Sequence, residues 1–388
     1  MYKVILKKDE EKRILNGHLW IYANEVSKIS GSGTQGSICE VTSFNGQVLG
    51  YGYINHASKI IVRIISKTYL EMDEDFFIER IEKAKQYKEE LGYFDNYRVI
   101  FSESDGLPGL VVDKYGEFLS IQILTLGMDK CRDLIVNALV KIFNPKGIYE
   151  RSDVSIRQKE GLKEVKGLLY GEVSEETIIV ENGLKMSVDV INGQKTGYFL
   201  DQKENRENVK KYVSGKTVLD CFCNVGGFGL NALSGGASHV TFLDISARAI
   251  EEVKKNANLN EFSNYSTYCV DCFKALRDYI SNGTKFDCVI LDPPAFIKTI
   301  DSVKNGYRGY VDINVDALKI VNKGGYLITF SCSEHLTPNL FQRMIEEAVL
   351  KSKVNAKLIE MRYQARDHAS LINMQESLYL KCAIIQVV

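Results

Sequence analysis

Acidic residues recur at the ends of predicted strands in the C-terminal half of the sequence, beside a glycine-rich turn. Asp220 lies near the end of the first strand, Gly226 and Gly227 lie in the turn that follows, and Asp244 and Asp271 end the next two strands. Glycines let a backbone approach a ligand closely, and an acidic residue at a strand end accepts hydrogen bonds from ribose hydroxyl groups. The pattern predicts a nucleoside site with Asp271 near the adenine end, although a tight turn alone would need the same glycines.

A second candidate site lies in Asp292-Pro-Pro-Ala-Phe296, which follows the fourth predicted strand. The two prolines stiffen the loop and aim the Asp292 carboxylate and the Pro293 carbonyl into a cleft. Such a pair of acceptors recognises the amino-bearing edge of a base, and Phe296 can stack on that base. A loop that is only stiffened by its prolines is the simpler alternative.

Cys332 lies in Thr329-Phe-Ser-Cys-Ser333, at the end of the fifth predicted strand. Adjacent parallel strands release their loops at the same edge of a sheet, so we expect Cys332 beside the 292–296 loop. A thiolate at that place would be a nucleophile. The alternative is a buried packing residue, which is our interpretation of the other eight cysteines. Cys269 and Cys272 have CxxC spacing, but no second pair lies at metal-ligand distance in the sequence, and the five histidines show no ligand pattern. We therefore predict no metal centre.

These residues require a parallel sheet, which the periodicity of the sequence predicts. From about residue 185, apolar strands alternate with helices, as in an α/β sheet covered on both faces. The segment to residue 68 instead predicts a small β-barrel that contains a hairpin turn at Asn45-Gly46. Between these two parts we predict an α+β domain, whose first helix buries Phe77, Ile81, Ala84, Tyr87 and Leu91. The predicted domains are therefore 1–70, 71–184 and 185–388.

The composition is that of a globular protein. The chain has 388 residues, too many for one ordinary core, and is 45% hydrophobic and 26% charged, which excludes wholesale disorder. A net charge of −1 excludes a uniformly basic nucleic-acid coat, but the segment to residue 68 has nine Lys and Arg against five Asp and Glu. The sequence contains no apolar run of membrane-spanning length and has an odd number of cysteines. We therefore expect a reducing cytoplasmic location and no membrane partner.

Three further features concern the ligand. Phe222 stands where a dinucleotide-binding fingerprint has its first glycine, which argues against an NAD-dependent oxidoreductase. The segment 192–202 offers Gly197 for a turn and aromatic residues for stacking, so it could form a lid over a cofactor or simply lead into a helix. The fourth predicted strand leads into a loop, and we predict that a helix follows over 310–321. Arg308, just before this helix, is a candidate for a phosphate contact, with a solvated arginine as the alternative.

Four motifs taken together resemble the RlmI-type ribosomal RNA cytosine-5 methyltransferases, which are class I enzymes dependent on S-adenosylmethionine. The motifs occupy 194–202, 220–228, 292–296 and 330–333, and the resemblance covers the whole chain. It implies an N-terminal PUA domain, a central α/β linking domain and a C-terminal Rossmann-like methyltransferase domain. It also implies large-subunit ribosomal RNA as the partner and S-adenosylhomocysteine as a product, and it allows a homodimer.

The resemblance assigns catalysis to Cys332, Asp292 and Pro293, and substrate binding to Phe296 and Arg308. The implied cofactor-binding residues are Gln194, Phe199, Asp201, Asp220, Phe222, Asn224, Gly226, Gly227, Phe228, Asp244, Ile245, Asp271, Cys272 and Asp292.

In the implied reaction, Cys332 adds to C6 of cytosine, C5 attacks the sulfonium methyl group, a base removes the C5 proton and the cysteine is eliminated. Asp292 would hydrogen-bond the base at N3 or N4. Two other functions stay open. One is a methyltransferase that modifies an exocyclic amine or a guanine ring nitrogen without a cysteine nucleophile, and the other is a non-catalytic RNA-binding assembly factor.

Overall fold

A computed structural model describes residues 1–388 of the chain. It separates into two compact units. The first unit comprises Met1–Thr177, Val188–Leu200 and Arg366–Ser377. The second unit comprises Ile178–Ser187, Asp201–Ala365 and Leu378–Val388. None of the helices combines the length and the apolar character that a transmembrane span requires. The division into three domains at 1–70, 71–184 and 185–388 stays a prediction.

The first unit contains eleven strands and four α-helices. The strands are β1 Tyr2–Leu6, β2 Trp20–Tyr22, β3 Val26–Gly31, β4 Ile38–Thr42, β5 Val48–Ile54, β6 Ile60–Ser66, β7 Asn96–Phe101, β8 Leu110–Tyr115, β9 Phe118–Ile123, β10 Gly147–Ser152 and β11 Val165–Gly171. The helices are α1 Glu11–Leu15, α2 Glu74–Glu90, α3 Leu126–Lys130 and α4 Arg132–Phe143.

Six short strands form the N-terminal sheet, in the order β2-β6-β5-β4-β1-β3. The β1 and β4 strands pair in parallel and the other neighbours are antiparallel. The predicted hairpin is present as β4 and β5, and Gly46 in its turn has a φ of +85°, a conformation that favours glycine. Val4, Val41 and Val62 lie in the core of this sheet.

A five-stranded sheet follows, in the order β11-β10-β9-β8-β7, with α2 and α4 contributing to its core. Phe77, Ile81 and Ala84 of α2 are buried, as predicted. The prediction that Tyr87 lies on the buried face is wrong, because Tyr87 is 39% exposed and its neighbour Lys88 is buried instead. Lys88 Nζ donates to both carboxylate oxygens of Asp105, at 3.1 and 3.2 Å. This ion pair stabilises the buried ammonium group, and the hydrophobic pattern of the helix cannot predict it.

Nine strands and six α-helices make up the rest of the chain. The strands are β12 Thr177–Glu181, β13 Leu184–Val188, β14 Thr217–Cys221, β15 His239–Asp244, β16 Tyr265–Cys269, β17 Phe286–Leu291, β18 Val321–Ser331, β19 Ala356–Tyr363 and β20 Lys381–Val387. The helices are α5 Lys203–Val209, α6 Gly227–Ser234, α7 Ala247–Leu259, α8 Cys272–Asn282, α9 Val303–Ile320 and α10 Pro338–Ser352.

Seven of these strands form one sheet in the order β16-β15-β14-β17-β18-β20-β19. The first five are parallel, and β20 is antiparallel to both of its neighbours. The strand order reverses between β14 and β17, which is where open α/β sheets bind ligands at the carboxyl ends of their strands. The expected Rossmann-like α/β fold is confirmed by this arrangement.

A buried ion pair joins the hairpin of β12 and β13 to α5. Arg206 Nε and Nη2 donate to Glu181 Oε1 and Oε2 at 2.6 and 2.9 Å, and both side chains are buried. The bidentate geometry supplies two charge-assisted hydrogen bonds to a carboxylate that water does not reach.

We expect Arg206→Met to lower the free energy of unfolding by about 3–5 kcal/mol, because the Glu181 carboxylate stays buried without its guanidinium. Urea unfolding measures the change. Lys254→Met is the matched control, since its ion pair with Glu251 is exposed and should contribute less than about 1 kcal/mol. Equal losses in the two variants would contradict a special role for the buried pair.

Candidate functional site

The glycine-rich turn joins β14 to α6 in an unusual backbone conformation. Phe222, Asn224 and Gly226 all have positive φ angles, of +60°, +48° and +86°. The left-handed conformation costs a phenylalanine more than a glycine, so other contacts must hold Phe222 in place. Its backbone N–H donates to Cys272 Sγ at 3.3 Å, and its ring meets that of Phe273 edge to face.

Asp220 is buried beneath this turn. Its Oδ2 accepts a hydrogen bond from the Gly229 N–H at 2.8 Å, while Oδ1 is buried without a hydrogen-bond partner. Burial raises the pKa of the Asp220 carboxyl to about 8, the hydrogen bond from Gly229 opposes that rise, and the nearby negative charges of Asp292 and Asp244 add to it. The observed contact of Asp220 is therefore with the turn and the start of α6.

Asp244 is the last residue of β15, and Asp271 lies two residues beyond the end of β16. Asp244 Oδ2 accepts from the Asn224 N–H at 3.0 Å and Oδ1 from the Ser246 N–H at 2.9 Å, so this carboxylate also stabilises the turn. Asp271 caps α8 by accepting from the Lys274 N–H at 2.8 Å. Beside Asp244, Ile245 is 72% exposed, which leaves an apolar surface at the edge of the sheet.

The structure thus brings one group of the predicted cofactor residues together. Hydrogen bonds to the turn involve Asp220, Phe222, Asn224, Asp244 and Cys272. Gly226 and Gly227 lie in the same turn at the start of α6, and Phe228 packs on the Phe330 ring with centroids 4.7 Å apart. Gln194 and Phe199 belong to the first unit, where Lys195 Nζ lies 4.5 Å from the centre of the Phe199 ring. Asp201 is buried in the second unit, and its Oδ2 accepts from the Tyr379 hydroxyl at 2.6 Å. Cofactor binding by all these residues stays a prediction.

Asp292 is held by a chain of side-chain amides. Gln202 Nε2 donates to Asp292 Oδ2 at 3.2 Å, and Gln202 Oε1 in turn accepts from Asn205 Nδ2 at 2.8 Å. Asn205 Oδ1 accepts from Arg362 Nε at 3.0 Å. The half-buried Asp292 carboxylate is therefore oriented from α5 and β19, and the next residue, Pro293, is buried.

The loop of Asp292 and the segment of Cys332 lie together. Ser333 Oγ accepts from the Ile297 N–H at 3.2 Å and lies 2.9 Å from the Tyr310 hydroxyl oxygen. That same Tyr310 oxygen accepts from the Phe296 N–H at 3.4 Å. Cys332, half-buried between Ser331 and Ser333, is consequently fixed beside the loop, as the register of β17 and β18 requires.

Phe296 packs its ring on Tyr310, with ring centroids 4.6 Å apart. The helix predicted to begin at 310 begins at Val303, so Arg308 lies within α9, where it is exposed. The predicted boundary is wrong because Gly306 is a packing position, not a turn. A Cβ there would lie 2.7 Å from the Phe296 carbonyl oxygen, so only glycine lets the helix approach the loop this closely.

Sequence reasoning missed four residues that build this site, namely Gln202, Tyr310, Ser333 and Lys381. Gln202 and Ser333 lie in motifs already singled out, so their positions were a usable signal. Tyr310 and Lys381 come from a helix and an antiparallel strand, and no local pattern distinguishes them. No group of three or more His, Cys, Asp or Glu side chains is placed to hold a metal ion.

Two family models match the chain. A PUA-like domain matches residues 4–67, and an S-adenosylmethionine-dependent methyltransferase matches residues 157–355. Curated relatives named ribosomal RNA large subunit methyltransferase I match nearly the whole chain. The relative from Aliivibrio fischeri (strain MJ11) is 41% identical over 99% of each chain, and the relative from Vibrio campbellii is 41% identical over 97% of each.

The chain belongs to the ribosomal RNA large subunit methyltransferase I family of S-adenosylmethionine-dependent methyltransferases. The family resemblance, the PUA-like domain and the cofactor predicted from the sequence are confirmed by these matches. Solved structures agree on the fold. The crystal structure of SMU.776 complexed with SAH has a TM-score of 0.87 at 23% identity, and a protein from Streptococcus mutans has 0.86 at 24%, each covering 100% of both chains.

The residues at the edge of the sheet fit S-adenosylmethionine. Asp220 Oδ1 is buried without a partner, so it can bond a ligand, as a donor while the carboxyl group is protonated. The half-buried Asp244 offers a carboxylate acceptor where a ribose would lie. The exposed Ile245 offers an apolar surface for a purine ring. These are the donor, acceptor and apolar groups that a nucleoside requires at this edge.

We expect the stability of the ligand-free protein to fall as the pH rises from about 5 to about 8. The Asp220 carboxyl, with its pKa raised to about 8 by burial, holds a proton in the folded state that an unfolded chain loses near the ordinary value of 3.8. The folded state binds more protons in this window, so raising the pH destabilises it. Asp220→Asn should flatten the dependence, because an amide oxygen can still accept from Gly229 but does not titrate.

Urea unfolding at several pH values in the window measures this slope. Asp287→Asn is the control, since hydrogen bonds from Thr217 and Asn322 outweigh burial and lower the pKa of Asp287, which places its titration below the window. That variant should keep the wild-type slope. If Asp220→Asn keeps the wild-type dependence of stability on pH, the Asp220 carboxyl is not the group that causes it.

Proposed function

We propose that the protein methylates C5 of a cytosine in large-subunit ribosomal RNA, with Cys332 as the nucleophile. The observation that carries the proposal is the Ser333 and Tyr310 contact, which fixes Cys332 beside the loop of Asp292. A thiol, a carboxylate and an aromatic ring next to a nucleoside site are the groups that this chemistry needs. The names of the relatives support ribosomal RNA as the substrate.

The cofactor would be held at the carboxyl ends of β14, β15 and β16. Asp244 would accept from the ribose hydroxyl groups, Ile245 would pack on the adenine, and Asp271 would lie near the adenine edge. Gly226 and Gly227 would let the backbone approach the ligand closely. When bound, S-adenosylmethionine supplies an electrophilic methyl group.

Cys332 would make C5 of cytosine reactive by adding to the neighbouring carbon. C5 is a weak nucleophile in the aromatic ring. A bond between Cys332 Sγ and C6 shifts the electron pair of the C5–C6 double bond towards C5. Once C5 carries the methyl group, a base takes the C5 proton, the double bond re-forms and the Sγ–C6 bond breaks. The thiolate returns to its starting state.

Asp292 would orient the base and stabilise the charge that develops in the ring. Its carboxyl group can bond cytosine at N3 or N4, and the chain of amides from Gln202 to Arg362 fixes its direction. Phe296 would stack on the base, and the exposed Arg308 on α9 would contact a phosphate. These contacts would bring C6 next to Cys332.

The N-terminal sheet would hold the RNA. Its segment carries an excess of four positive charges and matches the PUA-like model, which suits phosphate and shape recognition of a folded RNA. We also propose a reducing cytoplasmic location, which the absence of disulfides among the nine cysteines supports.

Incubation with unmodified large-subunit ribosomal RNA and isotope-labelled S-adenosylmethionine tests the reaction. We expect mass spectrometry of the digested RNA to detect 5-methylcytidine. A label on guanine or on an exocyclic amine would favour a methyltransferase without a cysteine nucleophile. Cofactor binding without any labelled nucleoside, on free RNA or on ribosomal particles, would favour a non-catalytic assembly factor.

We expect Cys332→Ala to reduce methylation at least about 10³-fold, because the covalent step is lost. Cofactor affinity, measured by calorimetry, should stay within about twofold, since Cys332 is not among the cofactor-binding residues. Cys131→Ala is the matched control, because Cys131 is half-buried like Cys332, belongs to the first unit and is not one of the proposed site residues, and it should keep full activity. Full activity of Cys332→Ala would overturn the mechanism.

A further inference from the structure

Lys381 is a fully buried lysine at the beginning of β20, with an exposed fraction of 0%. Its Nζ donates to the Ser333 carbonyl oxygen at 2.6 Å and to the Tyr379 carbonyl oxygen at 2.7 Å. Buried lysines are rare unless a partner stabilises the charge. No step of the proposed methyl transfer uses this residue.

The position of Lys381 is set by strand pairing. The β18 and β20 strands are antiparallel, and Ser331 pairs with Lys381. Cys332 is the next residue after Ser331, and the carbonyl that Lys381 binds belongs to the residue after Cys332. The ammonium group therefore lies against the segment that carries the proposed nucleophile.

The charged groups that interact with Lys381 belong to the segment that contains Cys332. Burial lowers the pKa of Lys381 to about 8, and negative charge on Cys332 and on Glu334 opposes the fall. An interaction that favours the ammonium when the thiolate is present favours the thiolate equally when the ammonium is present. From α9, Tyr310 also faces Cys332, but burial raises the pKa of Tyr310, so its phenol stays neutral and adds no charge.

We propose that Lys381 is a positioning residue that holds Cys332 as a thiolate, with the proton on Nζ and the negative charge on Sγ. Two hydrogen bonds to the Ser333 and Tyr379 carbonyl oxygens fix the ammonium group against the segment of Cys332. The inference rests on the proposed function, because a thiolate at Cys332 matters only if Cys332 is the nucleophile. It goes beyond that function by naming the group that activates the thiol.

A purely structural lysine is the alternative, since its hydrogen bonds also satisfy two buried carbonyl groups. Charge and hydrogen bonding can be separated with two variants. Lys381→Arg keeps a positive charge, whereas Lys381→Gln keeps a hydrogen-bond donor towards Ser333 and removes the charge. If the role of Lys381 is purely structural, the wild type and the two variants should show the same pH dependence of Cys332 alkylation.

The test is the rate of iodoacetamide alkylation of Cys332 against pH, followed by peptide mass spectrometry on the intact folded protein. In the wild type we expect an alkylation midpoint below about 8.5, the ordinary value for a cysteine thiol. Lys381→Gln should raise the midpoint by about 1–2 pH units, which lowers the rate at pH 7 about tenfold or more. Lys381→Arg should restore most of the difference. The exposed Cys269 in the same samples is the internal control and should follow one curve in all three proteins.

A wild-type midpoint at or above about 8.5 overturns the proposal without any variant, so it stays testable even if Lys381→Gln fails to fold. An unchanged midpoint in a folded Lys381→Gln, with cofactor affinity retained, also overturns it. Alkylation requires no RNA and no methyl transfer. A low midpoint together with an active Cys332→Ala would therefore reject the proposed function and keep the thiolate pair.

Discussion

The buried hydroxyl group of Ser333 is the contact on which the site depends. It joins a loop that follows β17 to a segment that follows β18, and it lies within hydrogen-bond reach of Tyr310 on α9. Parallel strands alone place two chain segments at the same edge of a sheet, but they leave the loops free to diverge. The hydroxyl cluster removes that freedom, so the thiol and the carboxylate keep one mutual arrangement.

Much of the sheet could be predicted from the sequence, because buried parallel strands are short apolar runs and the helices between them are amphipathic. The position of Cys332 beside Asp292 followed from the strand order alone. Side-chain contacts between distant segments could not be predicted. Gln202 reaches Asp292 across 90 residues and Arg362 reaches Asn205 across 157, and no local pattern records either contact.

Two local predictions failed for a common reason, which is that a partner outside the segment decided the outcome. Lys88 is buried instead of Tyr87 because Asp105 offers a carboxylate to its ammonium group. The helix α9 extends through Gly306 because the Phe296 backbone leaves no space for a side chain. Glycine is usually found in turns and lysine at the surface. Tertiary contacts instead place Gly306 within a helix and Lys88 in the core.

The chain passes between the two compact units five times, since each unit is assembled from three separate segments. A single cut at any peptide bond therefore leaves at least one unit without part of its residues. Recombination between genes normally exchanges contiguous stretches of sequence, and no contiguous stretch of this chain contains one complete unit and nothing else. A fusion or an exchange at any single point of the sequence would therefore interrupt at least one of the two units.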